Sequence, residues 1–437
     1  MNTAMAYADA WAYLDGLQFF KIKLGLHSME RFLARVGNPH REMRFIHIAG
    51  TNGKGSVAAN LITLLSAAGH KTGLFTSPHL SSVRERFRIG DRYMPEDDFA
   101  AIAGRIREVL GDEQITYFEF TTAMALLWFA RERVDPAIME VGMGGRLDAT
   151  NVVTPLVSVI TSISMDHEAY LGTTIEAVAG EKAGIVKPGV PVVCAAKDEA
   201  LEVVASRCAE LGSPLYRIGR DFSLGEDGVY RGLAGGRTLA RLVPGLRGGH
   251  QYENTALALA CLELLAGQGI AVDDTTIRET LPRVRWPGRL EEIQVEDCRF
   301  PGAGIAGDPR RTFLLDGAHN PGGVAALTET LQREYAGRRL IFIWGAMADK
   351  DLALTLPVIA PVADHVVLTS VGGERAASAD GLARLLAAPI SRTVSRDVPE
   401  ALARAVAVSR PEDLIVVAGS LYLVGSVRKL LVGELAR

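Results

Sequence analysis

Four cysteines in 437 residues, at 194, 208, 261 and 298, are too few and too irregularly spaced for a disulfide framework, and none forms a C-x-x-C pair that could grip zinc. Charge of one sign is scarce as well. The 47 Lys plus Arg nearly balance 51 Asp plus Glu, leaving a net −4, so the basic footprint of a nucleic-acid binder is missing. Long apolar runs are absent too: "LIVVAGSLYLVGSV", from Leu414, is too short for a bilayer span and is broken by small residues. The opening "MNTAMAYADAWAYLDGL" lacks a basic stretch followed by an apolar one. The expectation is a cytoplasmic chain with reduced thiols and no membrane or nucleic-acid partner.

What is present is the profile of a globular enzyme, 48% hydrophobic and 22% charged, in a chain long enough for two or three domains. From residue 45, apolar runs of strand length alternate with segments of helical period. "RFIHIA", "TGLFTS", "AIMEVG" and "LVSVITSIS" read as buried strands. "SVAANLITLLSAAGH" sets Val57, Leu61, Ile62, Leu64, Leu65 and Ala68 on one helical stripe. The alternation predicts an α/β fold with a mostly parallel sheet around a P-loop. Residues 215–247, with short alternating runs and glycine turns, predict an antiparallel insertion. The helix "ENTALALACLELLAG" follows. The Pro- and Arg-rich "LPRVRWPGRLEEIQ", 281–294, marks a boundary, dividing the chain into 1–290 and 291–437. Beyond it "TFLLD", "RLIFIWG", "HVVLTS" and "DLIVVAG" predict a smaller, Rossmann-like α/β domain.

Chemistry concentrates first at "HIAGTNGKGS", 47–56. Successive backbone amides at a helix N-terminus, with Lys54 as a point charge, make an anion site suited to ATP phosphates. A plain glycine turn is the alternative. The usual P-loop places Ser or Thr after the lysine to hold Mg²⁺; here Gly55 stands there. Three other strand ends offer substitutes: Ser77, Glu140 and His167. Singly, each has an ordinary reading, as turn residue, buried acid or satisfied polar group. Together they supply the missing hydroxyl and a carboxylate. "MEVGMGGRLDATN", 139–151, gives flexible backbone beside the presumed γ-phosphate. Lys182 in "GEKAGIVKPG" reads as a solvated lysine from spacing alone. "FLLDGAHNPGG" puts Asp316, His319 and Asn320 at a strand-to-helix turn, with a helix cap as the alternative for Asp316.

"HIAGTNGKGS", "TSPHL", "MEVGMGGRLDATN", "SISMDHEAYLG", "EKAGIVKPG", "WPGRLE" and "DGAHNPGG" together resemble folylpolyglutamate synthase and bifunctional dihydrofolate synthase of the Mur-ligase superfamily. The resemblance runs from about residue 20 to the end. It implies ATP-dependent ligation of L-glutamate to dihydropteroate or folates, with an ATP- and pteroate-binding first domain and a glutamate-ligase second domain. Thr51, Asn52, Gly53, Lys54, Gly55 and Ser56 would cradle ATP, with Asn254, Arg289 and Asp316 as further contacts. Of two Mg²⁺ ions, Ser77 and Glu140 would hold one, and His167 the other with Lys182 carboxylated on its amine. The pteroate site would use Lys21, Ile22, Lys23 and Leu24, then Thr116, Tyr117, Phe118 and Glu119, then Leu147, Asp148 and Ala149. "KIKLGL" lacks the acid that bifunctional members carry before "LGL", which leaves polyglutamylation alone as an alternative.

The chemistry implied is phosphoryl transfer to a carboxylate, then attack by the glutamate amine, with Lys54 and Lys182 at the phosphates and His319 as candidate base. Two domains closing over the site would keep water from the acyl phosphate. A GTPase switch would need an N-K-x-D guanine reader, which is missing. A non-catalytic nucleotide module has no use for acid, hydroxyl and imidazole at neighbouring strand ends. A cell-wall Mur-type ligase usually has a separate domain ahead of the loop, and only about 44 residues precede it here. The expectation is a monomer taking small-molecule substrates.

Overall fold

The apolar runs of the first half fold into an eight-stranded sheet in a computed structural model that describes residues 5–17, 25–233, 236–303, 308–373, 375–386 and 389–434. Its strands are β1 (Phe45–Ala49), β2 (Gly73–Phe75), β3 (Phe87–Ile89), β4 (Arg92–Tyr93), β5 (Ala137–Glu140), β6 (Val157–Ile160), β7 (Val192–Cys194) and β8 (Leu215–Arg217). They lie in the order β4-β3-β2-β5-β1-β6-β7-β8. All neighbours pair in parallel except β2 with β3 and β3 with β4. β1, β5 and β6 are buried at every position, because helices cover a parallel sheet on both faces. One face carries two adjoining clusters, the aromatic-rich core of Phe32, Phe99, Phe120, Trp128 and Phe129 against β1, β2 and β5, and small aliphatics such as Ala179, Ile185 and Val204 against β6 and β7.

Helix Tyr117–Glu132 begins with a capping box, Thr116 and Glu119 each accepting from the other's backbone N–H. Helix His250–Ala266 is rich in Ala and Leu and buried along most of its length.

The insertion differs from the sequence reading at its start. Leu215–Arg217 is the parallel edge strand of the main sheet; only β9 (Ser223–Leu224), β10 (Tyr230–Arg231) and β11 (Thr238–Leu239) form an antiparallel three-stranded sheet. A half-exposed edge strand alternates like a hairpin strand, so sequence pattern does not separate the two.

The chain divides into two compact units, 1–78, 83–245 and 251–284 in one, and 79–82, 246–250 and 285–437 in the other. The second unit begins at Arg285, within the Pro/Arg-rich stretch, and includes two short excursions that composition does not mark. Its sheet has the order β12-β13-β17-β14-β15-β16. These strands are β12 (Glu291–Val295), β13 (Arg311–Leu315), β14 (Leu340–Trp344), β15 (His365–Leu368), β16 (Ser391–Val394) and β17 (Leu414–Ala418). Only β12 runs antiparallel to its neighbour. Helices on both faces bury Leu327, Leu331 and Leu356 on one side and Ala401, Leu402 and Leu423 on the other.

All four thiols are buried. Among the described residues no helix is long and apolar enough to cross a membrane.

Candidate active site

β1 runs between β5 and β6, with Ile48 beside Glu140 and Ala49 beside Ile160. β2 lies on the far side of β5, Phe75 beside Met139. Adjacent carboxyl ends therefore deliver the loop at Gly50, the acid Glu140 and, two residues past Phe75, Ser77. Glu140 is buried and Ser77 half-buried. This is where ligands of parallel sheets gather.

The loop is pinned by backbone and hydroxyl groups of residues 161–164, which follow β6. Thr51 N–H donates to Ser162 O at 2.7 Å, and Thr51 Oγ1 donates to Ser164 O at 2.9 Å. Thr161 Oγ1 donates to Asn52 O at 2.7 Å. Gly50 fits only because it lacks a side chain: a Cβ there would lie 1.8 Å from Thr161 Oγ1. At Gly53, φ is 91° and a Cβ would lie 2.3 Å from Asn254 Oδ1. Asn254, which itself donates to Gln251 Oε1, thus sits directly against the loop. Helix Lys54–Ala67 starts at Gly53 with no side-chain cap, so its first amides face outward for an anion.

Lys54 Nζ donates to Gly50 O at 2.9 Å and to Thr51 O at 3.0 Å. Lys182 Nζ donates to the same Gly50 O at 3.1 Å. Two ammonium groups on one carbonyl repel. Burial, added to by Lys54, pushes Lys182 down to about 7, against the opposing pull of Asp166 and Asp148. Lys182 is therefore no solvated lysine. It is buried in helix Ile175–Ala183.

His167 has φ 53° and leads into the short helix Glu168–Leu171, its backbone N–H donating to Asp166 Oδ1 at 2.9 Å. Among the described residues no three His, Cys, Asp or Glu side chains cluster as a metal cage. A hydroxyl and a carboxylate at adjacent strand ends, completed by phosphate oxygens and water, still fit Mg²⁺, which seldom uses an all-protein cage.

The glycine-rich turn after β5 is held from inside. Asp148 Oδ2 accepts from Gly142 N and Met143 N, both at 3.0 Å, and Oδ1 accepts from Thr150 N at 3.0 Å. Burial raises the Asp148 carboxyl, and these hydrogen bonds oppose the rise. Any substrate donor would share an oxygen with them. Asn151 Nδ2 donates to Arg146 O and to Gly184 O. Phe118 packs on the same turn, since a Cβ on Gly142 would lie 2.5 Å from its ring, and Arg86 lies over the Tyr117 ring at 5.1 Å. Thr116 and Glu119 bond to each other in the capping box, and Gly25 N donates to Leu147 O at 3.3 Å. Tyr117, Phe118, Leu147, Asp148 and Ala149 are thus brought to one region. Lys21, Ile22, Lys23 and Leu24 lie outside the described residues.

In the second unit Asp316 is not the helix cap. Its Oδ2 accepts from Leu290 N and its Oδ1 from Ala318 N, both at 2.9 Å. The cap is Asn320, which accepts from Gly323 N at 2.8 Å. Arg289 Nη1 donates to Gly288 O and lies 2.3 Å from where a Cβ on Gly317 would be. His319 Nδ1 is 2.7 Å from Gly317 O, an acceptor, so the neutral ring carries its proton there and Nε2 is the basic nitrogen. The hydroxyl run at 161–164, the Asp148 clamp and Arg86 escaped sequence reasoning. Only the first left a trace, as Thr and Ser at a strand's carboxyl end.

Residues 48–262 match the Mur ligase middle domain, and residues 304–421 match the Mur ligase glutamate ligase domain. The dihydrofolate synthase/folylpolyglutamate synthase of Bacillus subtilis is 34% identical over 98% of this chain and 99% of its own. Escherichia coli FolC in complex with DHPP and ADP superimposes with a TM-score of 0.87 at 32% identity, covering 98% of both chains. The Yersinia pestis bifunctional folylpolyglutamate synthase/dihydrofolate synthase, complexed with AMPPNP and Mn ion, gives 0.85 at 33% identity over 98% of both.

Proposed function

The chain belongs to the folylpolyglutamate synthase/dihydrofolate synthase family of Mur ligases, and from that premise we infer an ATP-dependent ligase that joins L-glutamate to dihydropteroate and to folates. The observation that carries the reading is the uncapped loop with Lys54 at its mouth and Glu140 one strand away. In the first step an oxygen of the acid substrate's carboxylate attacks the γ-phosphorus of ATP, the bond to the β-phosphate oxygen breaks, and ADP leaves. Loop amides and Lys54 hold the phosphates and neutralise charge as it shifts. The glutamate amine then attacks the acyl carbon, phosphate leaves with the bonding pair, and the amine proton passes to a base.

Ser77 and Glu140 would hold one Mg²⁺, and His167 a second, with the ions supplying charge neutralisation at the phosphates. Lys182 is proposed as the carboxylated partner of His167. Held near 7, its amine has a large neutral fraction at neutral pH, and only the neutral amine adds CO₂. The carbamate N–H can still donate to Gly50 O, and its anionic oxygens relieve the repulsion with Lys54. In the second unit Arg289 and Asp316 are proposed to serve ATP, and the Nε2 of His319 to take the amine proton. The unit 1–290 is proposed to bind ATP and the pteroate or folate, and 291–437 to complete the glutamate ligase.

An assay offering ATP and L-glutamate with dihydropteroate, reduced folates or a muramyl precursor tests this. Release of ADP with dihydropteroate and with folates is expected. Turnover with the muramyl compound alone would overturn the reading.

A further inference from the structure

His47 lies in the middle of β1, fully buried, three residues before Gly50, and no step above uses it. Its Nε2 is 2.9 Å from Thr150 Oγ1. Thr150 has a single hydroxyl proton, and that proton is directed at Asp148 Oδ1. With the proton committed to a carboxylate, the Thr150 oxygen accepts from His47, which fixes the imidazole as the Nε2–H form. Burial, with the Lys187 charge nearby, pushes His47 down to about 3, so the ring stays neutral. Asp148 passes the constraint on. Besides Thr150 it takes the amides of Gly142 and Met143, which open the turn two residues after Glu140.

We propose that His47 is a positioning residue for the acid substrate. Its Nε2–H, relayed through Thr150 and Asp148, holds residues 142–148 in the shape that the carboxyl-bearing substrate meets beside Glu140. The relay ties the strand that carries the phosphate loop to the turn that carries the second substrate. This rests on the ligase reading, but its geometry can be tested without turnover.

Thr150→Val keeps the side chain's shape and removes the relay, whereas Thr150→Ser keeps the hydroxyl. Thr150→Val should lower kcat/KM for dihydropteroate or folate by about ten-fold, the effect of losing one buried hydrogen bond, with the KM for ATP nearly unchanged. Thr150→Ser should restore most of it. His47→Gln, which retains a donor, should exceed His47→Leu in activity. Hydrogen exchange gives the second readout: the amides of 142 and 143 should exchange faster in Thr150→Val, while those of 45–49 do not. Equal impairment of Thr150→Val and Thr150→Ser, or parallel losses toward ATP and the acid substrate, overturns the relay. So do wild-type exchange rates at 142 and 143. A wild-type enzyme inactive on every pteroate and folate would instead sink the ligase reading, with the exchange measurement still deciding the relay.

Discussion

Two strand-to-helix turns, one after β1 at the centre of the first sheet and one after β13 next to the edge of the second, treat their amides in opposite ways. The first places Gly53 at the helix start, with φ 91° and no side-chain cap. The second places Asn320 there, capping Gly323 N, followed by Pro321, while Asp316 takes Ala318 N and Leu290 N. A capped turn is locally stable and leaves fewer amides for a guest. An uncapped one is stabilised from outside the helix, here by Thr161, Ser162 and Ser164, and leaves its first amides open to an anion. The difference between a structural turn and a binding turn thus lies in which groups satisfy the helix N-terminus.

The largest break in this contrast should come from Lys54→Ala. Removing the charge at the open turn is expected to lower kcat by about 10³-fold or more, with a cooperative melt close to wild type. Retention of a tenth of wild-type turnover would remove Lys54 from the phosphate site. Glu140→Gln should act similarly, with loss of Mg²⁺ activation as the measured signature.

Next in size is depletion of CO₂. Lys182 is mainly charged below about 7 and neutral above it, and the carbamate forms only from the neutral amine. Activity in CO₂-free buffer should therefore fall, and bicarbonate should restore it well one unit above that value and poorly one unit below. Full activity after exhaustive CO₂ removal, at either pH, would falsify the carbamate.

Gly53→Ala sharpens the comparison more gently. A left-handed residue with a Cβ pressed on Asn254 should cost about 1–2 kcal/mol and raise the KM for ATP. An unchanged KM would mean that the loop tolerates a side chain and that the Asn254 contact does not matter. Asn320→Ala should give the smallest effect, about 1 kcal/mol of stability in denaturant melts, with turnover per folded molecule preserved. A large loss of turnover without loss of stability would make the second turn a binding turn after all.

The interior of both sheets was legible because β1, β5, β6, β14 and β17 are predominantly apolar runs, as buried parallel strands tend to be. The edges were not. β3, β4, β12 and β16 are short or half-exposed, and their composition resembles that of loops. At the candidate site, the phosphate loop and Glu140 stood out by order along the chain, Gly-rich turn after strand and acid at a strand end. Lys182 did not, because its meaning depends on sharing Gly50 O with Lys54, a contact between residues far apart in sequence. Asn320 as cap was written in "HNPGG", Asn followed by Pro at the first helical position. Asp316, nearer the strand, drew attention from it. The Asp148 clamp and the His47 relay have no sequence signature, since only burial distinguishes them from ordinary polar residues.

The thiols carry a practical consequence. Burial pushes Cys194 up to about 12 and Cys208 and Cys298 to about 11, and raises Cys261 as well. Because the thiolate is the reacting form, maleimides and iodoacetamides at neutral pH should pass over all four in the folded chain. One cysteine introduced at an exposed position, such as Glu108 or Ala407, would then be the dominant attachment point for a fluorophore, spin label or cross-linker, with every native thiol left in place.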